Sequence, residues 1–578
     1  MKHVLLLFTL AVFTSFADLT QPKPPVNYPK GYFQQPVAHT MQLSGTFGEL
    51  RANHFHSGID ISPAPKQSNE PIYSAAEGYV SRISIRSGGY GQAIFIAHPN
   101  GYTTVYAHLE KLAFSIDTFV KKRQYLTESF EQDLILPPQD LPILRGQQIG
   151  LMGNRGHSSG QHLHFEIRDT KTDRPINPLL FGFFVADQTP PVMRALKVYF
   201  FNDKKEVVNT KTLDVIRKGS EYSIFGDTIF VPSAQVAFGL KTYDKQDGKS
   251  GDNGVFAIDM KQNDSLIYAF KAEQFGFDET RYLNAHLDYQ AQMTNQGFFN
   301  RTFLLPGNVL SMYENVVNNG IISASTETKK ITMESKDVAG NSAKLTFYIQ
   351  QKDFSTFTQP KDYTYYLPHN EPSIIKVEGA KFYFSKGSFY ENVYLKFAQT
   401  TEGGTFGTYS PTYHVHNAEI PIQWQTVISI KPIGLPDSLR DKAFIAYCPK
   451  NQATIFNCGG GWSDEGYLVA KNNRFGQYCM MVDRTPPTII PVRFQWDMRK
   501  STKISFRIQD NFESTGGGEG LKYKATVDGF WILMEFDAKN NLLFHQFDER
   551  ISQGEHQLRI EVTDNRRNVG IYEAKFIK

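Results

Sequence analysis

The chain is poor in cysteine: three in 578 residues, Cys448, Cys458 and Cys479, all in its last quarter. That scarcity excludes a disulfide-built scaffold and a thiolate metal site in the N-terminal half. The three fit one disulfide with a thiol left over, Cys448 and Cys458 being spaced for a short loop, or three unpaired thiols; spacing does not fix the connectivity. Charge of one sign is also missing. A formal net charge of +3 supplies no basic field for nucleic acid as the main partner. Long apolar runs are absent after residue 17, so no later segment reads as a membrane span. Before it, Lys2 and His3 precede an apolar run from Val4 to Phe16, and Ser15-Phe16-Ala17 places small residues at a cleavage site. Residues 1–17 read as a secretory signal, with an uncleaved N-terminal anchor as the alternative. No cysteine follows to take a lipid. The protein is therefore expected in the periplasm, the cell envelope or outside the cell.

Histidine is present where cysteine is not. Phe55-His56-Ser57-Gly58-Ile59-Asp60 and Ser158-Ser159-Gly160-Gln161-His162-Leu163-His164-Phe165-Glu166 offer imidazoles and a carboxylate, the donors of a hydrolytic zinc site that keeps its fourth position open. Gly58 lets the backbone turn between His56 and Asp60. From His162 to Arg168 polar and apolar residues alternate. In a strand, His162, His164, Glu166 and Arg168 share one face and Leu163, Phe165 and Ile167 the other. Two imidazoles then stand side by side on a strand whose back packs into a core. Either motif alone fits unrelated surface or core histidines equally well. Context adds Tyr106-Ala107-His108-Leu109 between them and Gly150-Leu151-Met152-Gly153 ahead of the second.

With the three motifs in this order, the segment from about Phe47 to Pro178 resembles the lysostaphin-type (LytM-like) zinc endopeptidases that cut peptidoglycan peptides. The resemblance implies an antiparallel β catalytic domain and one Zn2+ held by His56, Asp60 and His164. It implies His108 and His162 as catalytic histidines, without dividing the base and oxyanion roles between them. His54 and His157 match no family position and read as rim residues. His98, at the Pro99-Asn100-Gly101 turn, reads as exposed. No ligand-donating propeptide is evident before Phe47, although Asn27 or His39 would be near enough to serve. The chain departs from the family between Leu112 and Arg145, where the connection to Gly146-Gln147-Gln148-Ile149-Gly150 is long. Phe119, Arg123, Leu126, Phe130 and Leu134 recur there at helical steps, and Pro137-Pro138 closes the stretch. This insertion, about 113–145, is either a lid over the substrate groove or a surface decoration.

After Leu180 short runs rich in Tyr, Phe, Val, Thr and Ile are punctuated by Gly, Asn and Asp, which reads as all-β. Asp187-Gln188-Thr189-Pro190-Pro191 returns as Asp483-Arg484-Thr485-Pro486-Pro487, and the closing turn Asp337-Val338-Ala339-Gly340-Asn341 returns as Asp564-Asn565-Arg566-Arg567-Asn568. These echoes look like bacterial immunoglobulin-like modules. The expected division is a signal at 1–17, a zinc endopeptidase domain at 18–185 (core about 47–178), and a β-sandwich with an insertion at 186–351. A β-rich module of uncertain type follows at 352–482, and a second β-sandwich at 483–578. The modules would bind glycan or a partner protein, or act as spacers. Trp424, Trp462, Trp496 and Trp531 read as core residues rather than sugar-stacking ones. The acidic loop of Asp244, Asp247, Asp252 and Asn253 has calcium-type donors but no recognised loop pattern, and reads as a solvated turn.

The fold class is thus mainly β, a lysostaphin-like antiparallel catalytic domain followed by β-sandwich modules. Two functional readings stand: an exported zinc endopeptidase, acting on peptidoglycan peptides or, which the motifs do not distinguish, on glycine-rich or host proteins; or a non-catalytic scaffold that binds and activates another wall hydrolase. Retention of all five site residues favours the first.

Overall fold

The computed structural model describes residues 26–248, 251–353, 362–400, 407–449, 454–515 and 520–578; the secretory-signal reading of residues 1–17 lies outside them. The chain is mainly β. No helix among the described residues is long and apolar enough to cross a membrane.

The N-terminal domain is built on one antiparallel sheet. Its main path runs Leu43–Gly45, Ile59–Ile61, Leu163–Asp169, Tyr102–Ala107, Gln92–Ala97, Gly78–Ile85 and Gln132–Ile135. The inner strands are β-branched and aromatic, which suits a pleated, buried surface. Ile59, Ile61, Ile94, Ile96, Tyr106, Leu163, Phe165 and Ile167 are fully buried in one core. Register fixes the rest. Leu163–Asp169 lies between Ile59–Ile61 and Tyr102–Ala107, with His164 opposite both Asp60 and Ala107.

The insertion contains one helix, Phe114–Thr127, whose buried residues are Ile116, Val120 and Gln124. This corrects the helical stripe expected through Phe119, Arg123, Leu126, Phe130 and Leu134. Leu126 points to solvent. Glu128 adopts a left-handed φ of 46° and ends the helix. Gln132–Ile135 then pairs with the edge of Gly78–Ile85. An open sheet edge gives this segment backbone partners that a longer helix would forgo.

Three β units follow. Residues 192–351 form a 12-stranded hydrogen-bonded path whose two halves close on one core, Leu196, Val198 and Phe238 on one side and Ile258, Leu345 and Phe347 on the other. Residues 365–482 form a five-stranded sheet, a two-stranded ribbon and five strands of a six-stranded sheet whose sixth, Glu513–Ser514, comes from the following unit. Residues 488–577 form two four-stranded sheets that bury Ile504, Phe506, Leu558 and Ile560 between them. The last unit packs against the N-terminal domain. Leu533 joins that domain's core, Trp531 meets Tyr125 edge-on at 5.0 Å, and the Arg550 guanidinium lies 4.0 Å over the Tyr125 ring. The insertion helix is therefore a platform for the C-terminal unit.

Of the two cysteine readings the structure carries the unpaired one, and two other expectations change. All three cysteines are free, and Cys448 neighbours Cys479 across paired strands rather than bonding Cys458. His98 is buried, bonded to the Glu77 carbonyl at 2.7 Å and Thr104 Oγ1 at 2.7 Å; the turn holds its ring inward. Trp424 and Trp496 are about half exposed rather than core.

In the 192–351 unit, buried Lys197 bonds Asp288 at 2.6 Å, and Tyr199 donates to the same carboxylate at 2.7 Å. Burial alone would push the Asp288 pKa up, but Arg301 and Lys197 bring it down to about 2. A depressed carboxylate pKa adds stability that is complete above the unfolded value and is lost as pH falls through the folded one. Asp288→Asn, which leaves Lys197 buried without its counter-charge, is expected to destabilise this unit by about 3 kcal/mol at pH 7. The difference from wild type should shrink between pH 4 and pH 2, as read by urea unfolding.

Candidate metal centre and active site

The ladder delivers the site. Because His164 faces Asp60 across the strand pair and His56 precedes Asp60 by one tight turn, three donors meet. His56 Nε2 lies 2.9 Å from His164 Nδ1 and 3.0 Å from Asp60 Oδ1; His164 Nδ1 lies 3.0 Å from the same oxygen. All three side chains are buried. Gly58 is needed for close approach rather than for an unusual turn: a Cβ there would sit 2.4 Å from the Phe165 carbonyl oxygen.

The outer nitrogens fix the tautomers. His56 Nδ1 is 2.8 Å from the Thr46 carbonyl, which only accepts, so this nitrogen carries the hydrogen. His164 Nε2 is 2.8 Å from Glu166 Oε1 and is likewise the donor. With both rings neutral, as metal ligation requires, two imidazole lone pairs and one carboxylate oxygen point at one another. Lone pairs repel unless a cation stands among them, and this donor set of two nitrogens and one oxygen fits zinc. Tetrahedral zinc with bonds near 2.1 Å sets ligand atoms about 3.4 Å apart, within about half an ångström of the spacing found.

Glu166 is the hub behind the centre. It is fully buried and accepts from Ser57 Oγ at 2.6 Å, Tyr90 OH at 2.6 Å, His164 and Arg168 Nε at 2.6 Å. Burial opposes its ionisation, yet the Arg168 guanidinium and His164 keep it ionised far below the ordinary range. In front of the centre, Arg51 bridges Asp60 Oδ2 at 2.9 Å and Glu49 at 2.9 Å.

His108 and His162 stand beside the three donors. Their rings are 4.8 Å apart, and His108 is 5.8 Å from the His164 ring. His108 follows the strand end with a left-handed φ of 61°, a conformation that costs a non-glycine residue about 1 kcal/mol and swings its ring over the site. Its Nδ1 donates to the Arg155 carbonyl at 2.7 Å; His162 Nδ1 donates to the Gly160 carbonyl at 2.9 Å. The loop carrying those carbonyls is held by the C-terminal unit. Lys539 donates to the carbonyls of Asn154 and Ser158, and Arg155 bonds Glu535 at 3.3 Å. His54 and His157 are exposed. His39 lies 3.2 Å from Glu70 and Asn27 is exposed; neither is among the donors. Sequence reading missed Thr46, Glu49, Arg51, Tyr90 and the hub role of Glu166. Only Glu166 carried a signal, through its place on the His162–His164 face.

Residues 54–134 and 139–178 match peptidase family M23. The N-terminal region is a peptidase family M23 domain. Residues 364–483 match the Zu5-like domain. The M23 domain is similar to "DD-carboxypeptidase/endopeptidase Mpg" of Neisseria meningitidis serogroup B, 32% identical over 181 residues, 31% of this chain and 31% of that protein. It is similar to "Peptidoglycan DD-endopeptidase ShyA" of Vibrio cholerae, 28% identical over 168 residues, 28% of this chain and 32% of that one. The alignments thus span about a third of these curated relatives. Among solved structures, a zinc containing peptidase from Vibrio cholerae is 25% identical over 26% of this chain and 40% of that one, with a TM-score of 0.18.

Outer carboxylates that orient a ligating imidazole are worth 10- to 100-fold in metal affinity. Glu166→Gln is expected to weaken zinc binding by about that factor in chelator competition. Affinity unchanged from wild type would remove Glu166 from the centre.

Proposed function

We propose that the M23 domain is a zinc metalloendopeptidase that hydrolyses peptide bonds of bacterial peptidoglycan, in cross-links or stem peptides, within an exported protein. In this reading His56, Asp60 and His164 hold the zinc. The carrying observation is the convergence of His56 Nε2, His164 Nδ1 and Asp60 Oδ1 within 3.0 Å of one another. The substrate class is supported by the peptidoglycan DD-endopeptidase among its relatives.

Zinc held there would supply Lewis acidity, activating water and polarising a scissile carbonyl. The remaining work falls to His108 and His162. Each commits its Nδ1 hydrogen to a backbone carbonyl, so in its neutral form each presents Nε2 as an acceptor towards the site. Burial, reinforced by the His164 and His162 imidazoles, lowers the His108 pKa to about 3. His108 is therefore neutral at physiological pH and orients water by accepting a hydrogen bond. His162, nearer the surface with its Nε2 3.4 Å from Asp60 Oδ1, is placed to take the proton from water and pass it to the leaving amine.

Purified cross-linked muropeptides digested by the zinc-loaded protein and separated by mass spectrometry test this reading. Wild type should convert dimers to monomers. His162→Ala should keep its zinc and lose about 10²- to 10⁴-fold in rate, and His164→Ala should lose both. Zinc-loaded wild type that leaves every dimer intact would shift the function to the non-catalytic scaffold.

A further inference from the structure

Outside the catalytic site, two groups of carboxylates are brought together in the same way. Asp187, Asp244 and Asp337 place ligand oxygens within 4.8 Å of one another, and so do Asp483, Asp510 and Asp564. The two groups occupy equivalent places in separate units. Asp187 and Asp483 open the Thr-Pro-Pro echoes. Asp244 and Asp510 directly follow the strands Gln235–Tyr243 and Lys503–Gln509. Asp337 and Asp564 begin the closing turns after Lys329–Lys336 and Glu555–Thr563. Even the supporting bonds repeat. Thr189 N donates to Asp187 at 3.1 Å and Thr485 N to Asp483 at 3.0 Å. Asn341 Nδ2 bridges Asp337 at 2.7 Å to the Asp187 carbonyl at 3.2 Å; Asn568 Nδ2 bridges Asp564 at 2.7 Å to the Asp483 carbonyl at 3.1 Å.

These are not solvated turn residues. Asp244 is 5% exposed and Asp483 1%, and Asp244 Oδ1 and Asp483 Oδ2 have no hydrogen-bond partner among the described residues. Asp510 Oδ1 is a third such atom. A buried, unpartnered carboxylate oxygen beside two further carboxylates is costly on both counts, desolvation and like-charge repulsion. A cation among the oxygens removes both costs. The donors are all oxygen, with neither imidazole nor thiolate, which selects a hard cation over zinc. The grouping differs from the acidic loop considered in the sequence: Asp247 caps Gln188 and Thr189, and Asp252 pairs with Arg194 and Lys245.

We propose that Asp187, Asp244 and Asp337, and separately Asp483, Asp510 and Asp564, form two calcium sites that lock successive units of the chain to one another. Each lies at a boundary. The first borders a cavity lined by Leu43, Thr46 and Phe183 of the M23 domain. There the segment after Asp244 braces the strand that orients His56: Leu43 N donates to Gln246 at 2.8 Å, and Thr46 Oγ1 to the Gly254 carbonyl at 3.0 Å. At the second, Asn565 and Arg566 of the closing turn bond Asn457 at 2.8 Å and the Ala443 carbonyl at 2.8 Å in the preceding unit. Calcium would pin the turn and, through it, the boundary.

The test needs no enzymatic activity and does not rest on the catalytic reading. Full-length protein, stripped of metal and reloaded with one equivalent of zinc, is dialysed against radioactive calcium at about 1 mM, the weak end of the range for extracellular calcium modules. Two equivalents are expected in wild type, one in Asp337→Asn and one in Asp564→Asn, and none in the double variant. Calcium should raise the Tm of wild type and leave that of the double variant unmoved. Terbium luminescence on wild type, displaced by calcium and not by zinc, keeps the test independent of how the variants fold. No calcium bound to wild type, equal binding by the double variant, or full displacement by equimolar magnesium would overturn the assignment.

Discussion

The M23 domain depends on one cross-strand register. His164 faces Asp60 on one neighbour and the residue before His108 on the other. Side chains alternate along a strand, so a slip of one residue would turn His162, His164 and Glu166 into the core and push Leu163, Phe165 and Ile167 into the site. The fully buried apolar face forbids that slip. Hydrophobic packing on one side of the sheet thereby fixes polar chemistry on the other, and His108 and His162 inherit their places from the same ladder.

Behind this ladder the organisation is one of charge held in place. Glu166 is ionised in a dry position because Arg168, Tyr90, Ser57 and His164 all donate to it. A carboxylate so encircled cannot rotate, and the ring it bonds cannot either. In front, Arg51 ties Asp60 to Glu49. The donor atoms are consequently preorganised before any ligand arrives, which reduces the ordering that binding requires.

Much of this was legible in the sequence because it is local. The alternation from His162 to Arg168 announced a strand with a polar face, and the repeated Asp-x-Thr-Pro-Pro and Asp-rich turns announced two related units. What stayed hidden was long-range. Nothing near Tyr90 or Thr46 marks them as partners of residues 76 and 10 positions away. The helix was misplaced because a free sheet edge, invisible to periodicity, captured Gln132–Ile135. Asp244 was grouped with its sequence neighbours Asp247 and Asp252, whereas its spatial neighbours come from chain segments far on either side.

The contact of Lys539, Glu535 and Leu533 with the M23 domain has a temporal meaning. A chain that emerges N-terminus first forms its five-residue constellation hundreds of residues before the strand that braces the 154–158 loop exists. Until that last unit folds and docks, the loop is held by the M23 domain alone, through His157 N to the Gly89 carbonyl at 2.8 Å and Arg155 to Glu110 at 3.0 Å. The brace on the site thus arrives only with the C-terminal unit, so that a chain interrupted before it would carry all five residues without the Lys539 and Glu535 contacts.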